Sequence, residues 1–102
     1  MNGGEPAVAT SEVSAEIKVL NKLGLHARPA AQLVKLAQSF KGVELRIRRQ
    51  GGEDINAKSI MGVLTLAAAS GEKLFVRAWG EGAGDLVGKI QALFAGRFGE
   101  AE

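Results

Sequence analysis

Residues 24–48 read GLHARPAAQLVKLAQSFKGVELRIR, and their hydrophobic period changes once along the way. Ala30, Leu33, Val34 and Ala37 recur at helical spacing with Gln32, Lys35, Gln38 and Ser39 opposite them, so an amphipathic helix of about three turns is expected after His26. Pro29 falls in its first turn, where a missing N–H removes no intrahelical bond. Gly42 closes the helical stretch, and Val43, Leu45 and Ile47 then alternate with Glu44, Arg46 and Arg48 at the period of a strand. Both periods in one short segment argue for an α+β domain.

Working outward, Glu16 to Leu20 alternates with Ile17 and Val19 on one side, the pattern of a half-buried first strand, and Asn21, Lys22 and Gly24 break it. Downstream, Gln50, Gly51 and Gly52 supply a turn, and Glu53 to Asn56 is expected to pair back as a short third strand. Ser59 is a natural N-cap for a short helix carrying Ile60, Met61, Val63 and Leu64, with some of Ile60, Met61 and Leu64 expected in the core, and Gly71 closes that segment. Lys73 to Trp79 reads as a fourth strand with Leu74, Val76 and Ala78 on one face. Asp85 begins a last helix with Leu86, Ile90, Leu93 and Phe94 inward, and Gly96 stops it. The order is β, α, β, β, α, β, α. Such elements bury their apolar sides as a two-layer open-faced sandwich, a four-stranded antiparallel sheet with helices on one face. Residues 1–14 are expected to form a flexible N-terminal tail, 15–98 the domain and 99–102 a C-terminal tail.

A chain of 102 residues suits one small domain and leaves little area for a second lobe, so a large self-contained enzyme is excluded. With no cysteine, disulfides, thiolate catalysis and cysteine-based metal sites are excluded together. Thirteen Lys and Arg against eleven Asp and Glu leave +2, too little to imply nucleic-acid binding by charge alone. No apolar run approaches a membrane span and the opening residues lack the features of a secretory signal, so the cytoplasm is the expected location. No Gly-Lys-Ser/Thr loop for ATP and no cluster of metal-ligand residues is visible, and no cofactor is called for.

The chain's only histidine stands at the entrance of the first helix. A helix N-terminus offers unpaired backbone N–H groups, here those of Ala27 and Arg28, and the positive end of the helix dipole, which together favour a bound anion such as phosphate. Arg28 adds a permanent cation able to fork onto phosphoryl oxygens. The same positive surroundings disfavour imidazolium and keep the ring neutral, the attacking form. Taken alone, a histidine can simply begin a helix, and the residues do not separate a covalent phosphohistidine from a site that only binds an anion.

GLHARPA followed by AKSIMGVLTLAAASG at 57–71 resembles the HPr phosphocarrier family of the phosphoenolpyruvate-dependent phosphotransferase system. The resemblance implies the βαββαβα open-faced sandwich and a carrier rather than an enzyme. His26 would take a phosphoryl group on Nδ1 from enzyme I and donate it to IIA proteins or domains, with Arg28 as charge partner. It further implies that Ser59 is the target of an ATP-dependent HPr kinase/phosphorylase that regulates carbon use, beside the sugar-transport role. Ala27, Ala31, Ile60 and Met61 would form the docking patch for partners. A rival of another class is a binding module for RNA or a protein, in which the open sheet face displays Phe75 and Trp79 among Arg46, Arg48 and Arg77.

Overall fold

The computed structural model describes residues 11–102, so the expected tail lies largely outside the described residues. Strand β1 spans Val13–Lys18, helix α1 Ala27–Gln38, β2 Glu44–Arg49, β3 Ile55–Asn56, α2 Ile60–Thr65, β4 Lys73–Trp79 and α3 Ala83–Ala95, followed by a 3₁₀ turn over Arg97–Gly99. The expected element order is the one observed. The sheet runs β1-β4-β2-β3, with every neighbouring pair antiparallel.

Alternation explains which residues face inward. Ile17 opposes Leu74 across β1 and β4, and Val76 and Ala78 oppose Ile47 and Leu45 of β2. All six are buried on one face with Leu33, Val34 and Ala37 of α1 and Leu86, Ile90 and Phe94 of α3. Helix α3 packs on β1 and β4, while α1 packs against α2 and α3. Each buried Leu, Ile or Phe contributes about 1.5–3 kcal/mol relative to its exposed state, so this shared face is the main source of stability.

Several boundaries differ from the sequence reading. Strand β1 begins at Val13 rather than Glu16, because Val13 to Ala15 pair with β4 even though their small and polar side chains alternate only weakly. Strand β3 shrinks to two residues, and Glu53 and Asp54 form an irregular stretch between the turn and the strand. Helix α1 ends at Gln38, where the N–H of Ser39 closes the last turn onto Lys35 and Leu36, well before Gly42. Helix α3 starts two residues before Asp85, since Gly82 adopts a left-handed φ of 94° and serves as its cap.

Candidate functional site

The entrance to α1 is pinned by a glycine. Gly24 has φ +70°, and a Cβ there would lie 2.4 Å from the carbonyl oxygen of Ala68. Only glycine permits both the left-handed backbone and this close approach. The next N–H, that of Leu25, donates to the same carbonyl at 2.9 Å, which ties the loop before α1 to the segment after α2. His26 follows as N-cap with extended backbone and no capping bond from its side chain, so the imidazole is free for other partners. Its carbonyl accepts the N–H of Ala30 at 3.0 Å. Pro29 has no N–H, and the helix is left with the amides of Ala27 and Arg28 as open donors. No acidic residue stands in the first turn to occupy them. Arg28 is exposed and forms no hydrogen bond or ion pair with another described side chain.

The imidazole has a partner that the sequence reading missed. His26 Nε2 lies 2.7 Å from Oε2 of Glu100, 74 residues away along the chain. The other oxygen, Oε1, accepts from Asn21 Nδ2 at 2.9 Å, and that nitrogen also donates to the carbonyl of Gly24 at 2.7 Å. Asn21 is fully buried, and its Oδ1 has no partner. The Asn21 hydrogen bond holds the Glu100 carboxyl below the usual carboxylate range; partial desolvation opposes this, and His26 and Arg28 add to the lowering. The surroundings of His26 thus include an anion as well as cations.

Glu100 reaches the site through the turn after α3. Phe98 is buried and meets Phe94 edge-to-face at 4.7 Å, and its carbonyl accepts from Gln32 Nε2 at 3.3 Å. Glu102 accepts the N–H of Lys22 through its carbonyl at 2.9 Å. The stretch set apart as a tail at 99–102 therefore lies against the His26 loop. One signal pointed there: Phe98 is a large apolar residue two places beyond the Gly96 stop, where no helix remains to bury it.

Ser59 caps α2 as expected, its Oγ accepting the N–H of Gly62 at 3.1 Å. The expectation that some of Ile60, Met61 and Leu64 would join the core is corrected. All three are at the surface, Met61 at 70% exposure, and Val63 alone in α2 is buried. A six-residue helix has room for one inward position, and Val63 takes it. Ala27 and Ala31, four apart on α1, are also exposed, and α1 packs beside α2.

The open sheet face does carry aromatics among arginines, as the sequence suggests, but packed against one another rather than displayed. Trp79 is only 6% exposed and carries the Arg77 guanidinium 4.8 Å from its ring centroid. Arg48 covers Phe75 in the same way at 4.5 Å. Arg77 also pairs with Asp54 and Glu12, and Arg46 with Glu44. The guanidinium groups occupy the ring faces that stacked bases would need.

Among the described residues no group of three His, Asp or Glu side chains is placed to hold a metal, and no helix is long and apolar enough to cross a membrane. A family model described as "PTS HPr component phosphorylation site" matches residues 13–96. The chain is 42% identical to the phosphocarrier protein HPr of Cupriavidus necator over 82% of its own length and 92% of the relative's. It is 35% identical to the phosphocarrier protein NPr of Escherichia coli K12, covering 86% and 97%. The crystal structure of HPr-C-His from Thermoanaerobacter tengcongensis superimposes with a TM-score of 0.82 at 32% identity over 88% of this chain and 99% of that one. HPr from Bacillus anthracis does so with 0.77 at 33% identity over 82% and 98%. With its fold, its lone histidine at a helix entrance and these matches in agreement, the chain belongs to the HPr family of phosphocarrier proteins of the phosphotransferase system.

Proposed function

We propose that His26 is the phosphoacceptor, taking the phosphoryl group on Nδ1 from enzyme I and passing it to IIA proteins or domains in the cytoplasm. The observation that carries this reading is the set of donors around His26: two open amides, those of Ala27 and Arg28, at the start of a twelve-residue helix, and the exposed guanidinium of Arg28. The Nδ1 lone pair forms the new bond to phosphorus. The donor's bond to phosphorus breaks, and its electron pair returns to the donor. Phosphoryl oxygens then meet N–H groups that the helix fixes in advance, and the unengaged Arg28 guanidinium swings onto them. Arg28 acts as the charge partner of the phosphorylated ring.

Ala27, Ala31, Ile60 and Met61 form the docking patch in this reading. Met61 is flexible and exposed, which suits a surface that meets several partners in turn. Ser59, at the edge of that patch, is the regulatory phosphorylation site for an HPr kinase/phosphorylase. A phosphate on its Oγ would place negative charge beside the apolar contacts and weaken docking while leaving His26 in place.

Incubating the protein with enzyme I and labelled phosphoenolpyruvate tests the reading. The wild type takes up acid-labile phosphate and His26→Ala takes up none. Equal labelling of the two would overturn it.

A further inference from the structure

On the reading that His26 is the phosphoacceptor, we propose that Glu100, clamped by Asn21, is a positioning residue. It holds His26 in the Nε2–H tautomer, leaves the Nδ1 lone pair for phosphorus and offsets the positive charge that the ring gains during transfer. The carboxylate has no hydrogen to give, so at 2.7 Å from Oε2 the ring nitrogen Nε2 is the donor. The lone pair of a neutral imidazole then sits on Nδ1. A carboxylate bonded to one imidazole nitrogen while the other does the chemistry is the arrangement by which hydrolase triads hold their histidine in a working tautomer.

Three features make this contact a built one. Asn21 is fully buried, and its Nδ2 is fixed between two acceptors, the Gly24 carbonyl at 2.7 Å and Glu100 Oε1 at 2.9 Å. That orientation leaves Asn21 Oδ1 buried without a partner, a loss the fold accepts in order to aim the amide N–H groups at the backbone and at Glu100. The chain before Glu100 runs through three consecutive left-handed residues, Arg97, Phe98 and Gly99, with φ of 55°, 56° and 77°. The two that are not glycine each cost about 1–2 kcal/mol in that conformation. Burial of Phe98 against Phe94 compensates and delivers the carboxylate to His26. The lowered titration of Glu100, caused first by Asn21, keeps that carboxylate ionised near neutrality.

During transfer the bond from Nδ1 to phosphorus forms with the nitrogen's own electron pair, and the donor keeps the pair of the bond that breaks. The proton stays on Nε2, so the ring becomes cationic while hydrogen-bonded to Glu100. On onward transfer the electron pair of the nitrogen–phosphorus bond returns to Nδ1, and the ring is neutral again.

The distinguishing variant is Glu100→Gln in the full chain. Asn21 presents only N–H toward position 100, so the introduced amide turns its oxygen to Asn21 and its NH₂ to His26. An NH₂ group donating to Nε2 drives the ring to the Nδ1–H tautomer, which cannot attack. Nitrogen-15 NMR of the unphosphorylated ring at alkaline pH reads the tautomer, and single-turnover labelling by phosphorylated enzyme I reads the rate. We expect Nε2–H in the wild type, a shift to Nδ1–H in Glu100→Gln with a rate at least about tenfold lower, and a smaller loss in Glu100→Ala, which has no amide to donate. Wild-type ring signals in Glu100→Gln would overturn the proposal even if its rate fell, because the carboxylate would then act through docking or stability alone. If His26→Ala is unlabelled while both Glu100 variants behave as wild type, the phosphoacceptor reading stands and this one fails.

Discussion

At the residue scale, His26 combines donors from its own helix turn, the amides of Ala27 and Arg28 and the Arg28 side chain, with one acceptor, Glu100, bonded to its Nε2. The first group was legible in the sequence because it is local: GLHARPA places a ring, two amides and a cation within a helical turn. The second was not. Glu100 and Asn21 come together only through the turn after α3, and neither lies at a periodic position that marks it out. Arg28→Ala should retain labelling at His26 but slow it. A charge-assisted hydrogen bond contributes about 1.5–3 kcal/mol, so a loss of roughly ten- to a hundredfold in transfer rate is expected by rapid-quench measurement. Glu100 gives a second residue-scale test. Its carboxyl titrates below the usual value in the folded protein, chiefly because of Asn21. The stabilisation it contributes is therefore fully present above the ordinary glutamate pKa and is lost as pH falls through the lowered one. Carbon-13 NMR should place its midpoint below that of an ordinary glutamate, and Asn21→Ala should move it upward. An unmoved midpoint would remove Asn21 as the cause.

At the scale of elements, legibility follows side-chain contrast. β2 and β4 alternate large apolar with charged or aromatic residues, and their faces could be assigned from sequence. The start of β1 could not, because Ser14 and Ala15 barely differ in character and only pairing with Arg77 and Val76 reveals the strand. The surface position of Ile60, Met61 and Leu64 was hidden for a different reason: in a helix of six residues the apolar positions do not define a stripe, and the tertiary contact decides which turns inward. Helix α3 carries a testable local weakness. Gly88 sits mid-helix, and a Cβ there would meet nothing within 4 Å. Gly88→Ala should therefore raise unfolding stability by about 0.5–1 kcal/mol, read as a higher denaturant midpoint at constant slope, with no change in labelling. A lower midpoint would mean that the position is closed to a side chain in a way this geometry does not show.

At the scale of the whole molecule, the protein divides its labour between two surfaces. The open sheet face is closed upon itself, its arginines engaged with Glu12, Glu44 and Asp54 and laid over Phe75 and Trp79. The opposite side carries the α1 entrance beside the exposed side chains of α2, so that open anion donors and an apolar patch lie together. Ser59 belongs to that surface, and Ser59→Asp should slow phosphorylation by enzyme I severalfold while leaving the unfolding transition close to wild type. An unchanged rate would argue that charge at this edge does not reach the docking contacts. Peptide mapping of the protein after transfer from enzyme I, under alkaline conditions that preserve phosphohistidine, locates the phosphoryl group itself. One phosphoryl group is expected on the peptide containing His26, bonded at Nδ1. Phosphate found on any other residue, or on Nε2, would contradict this assignment.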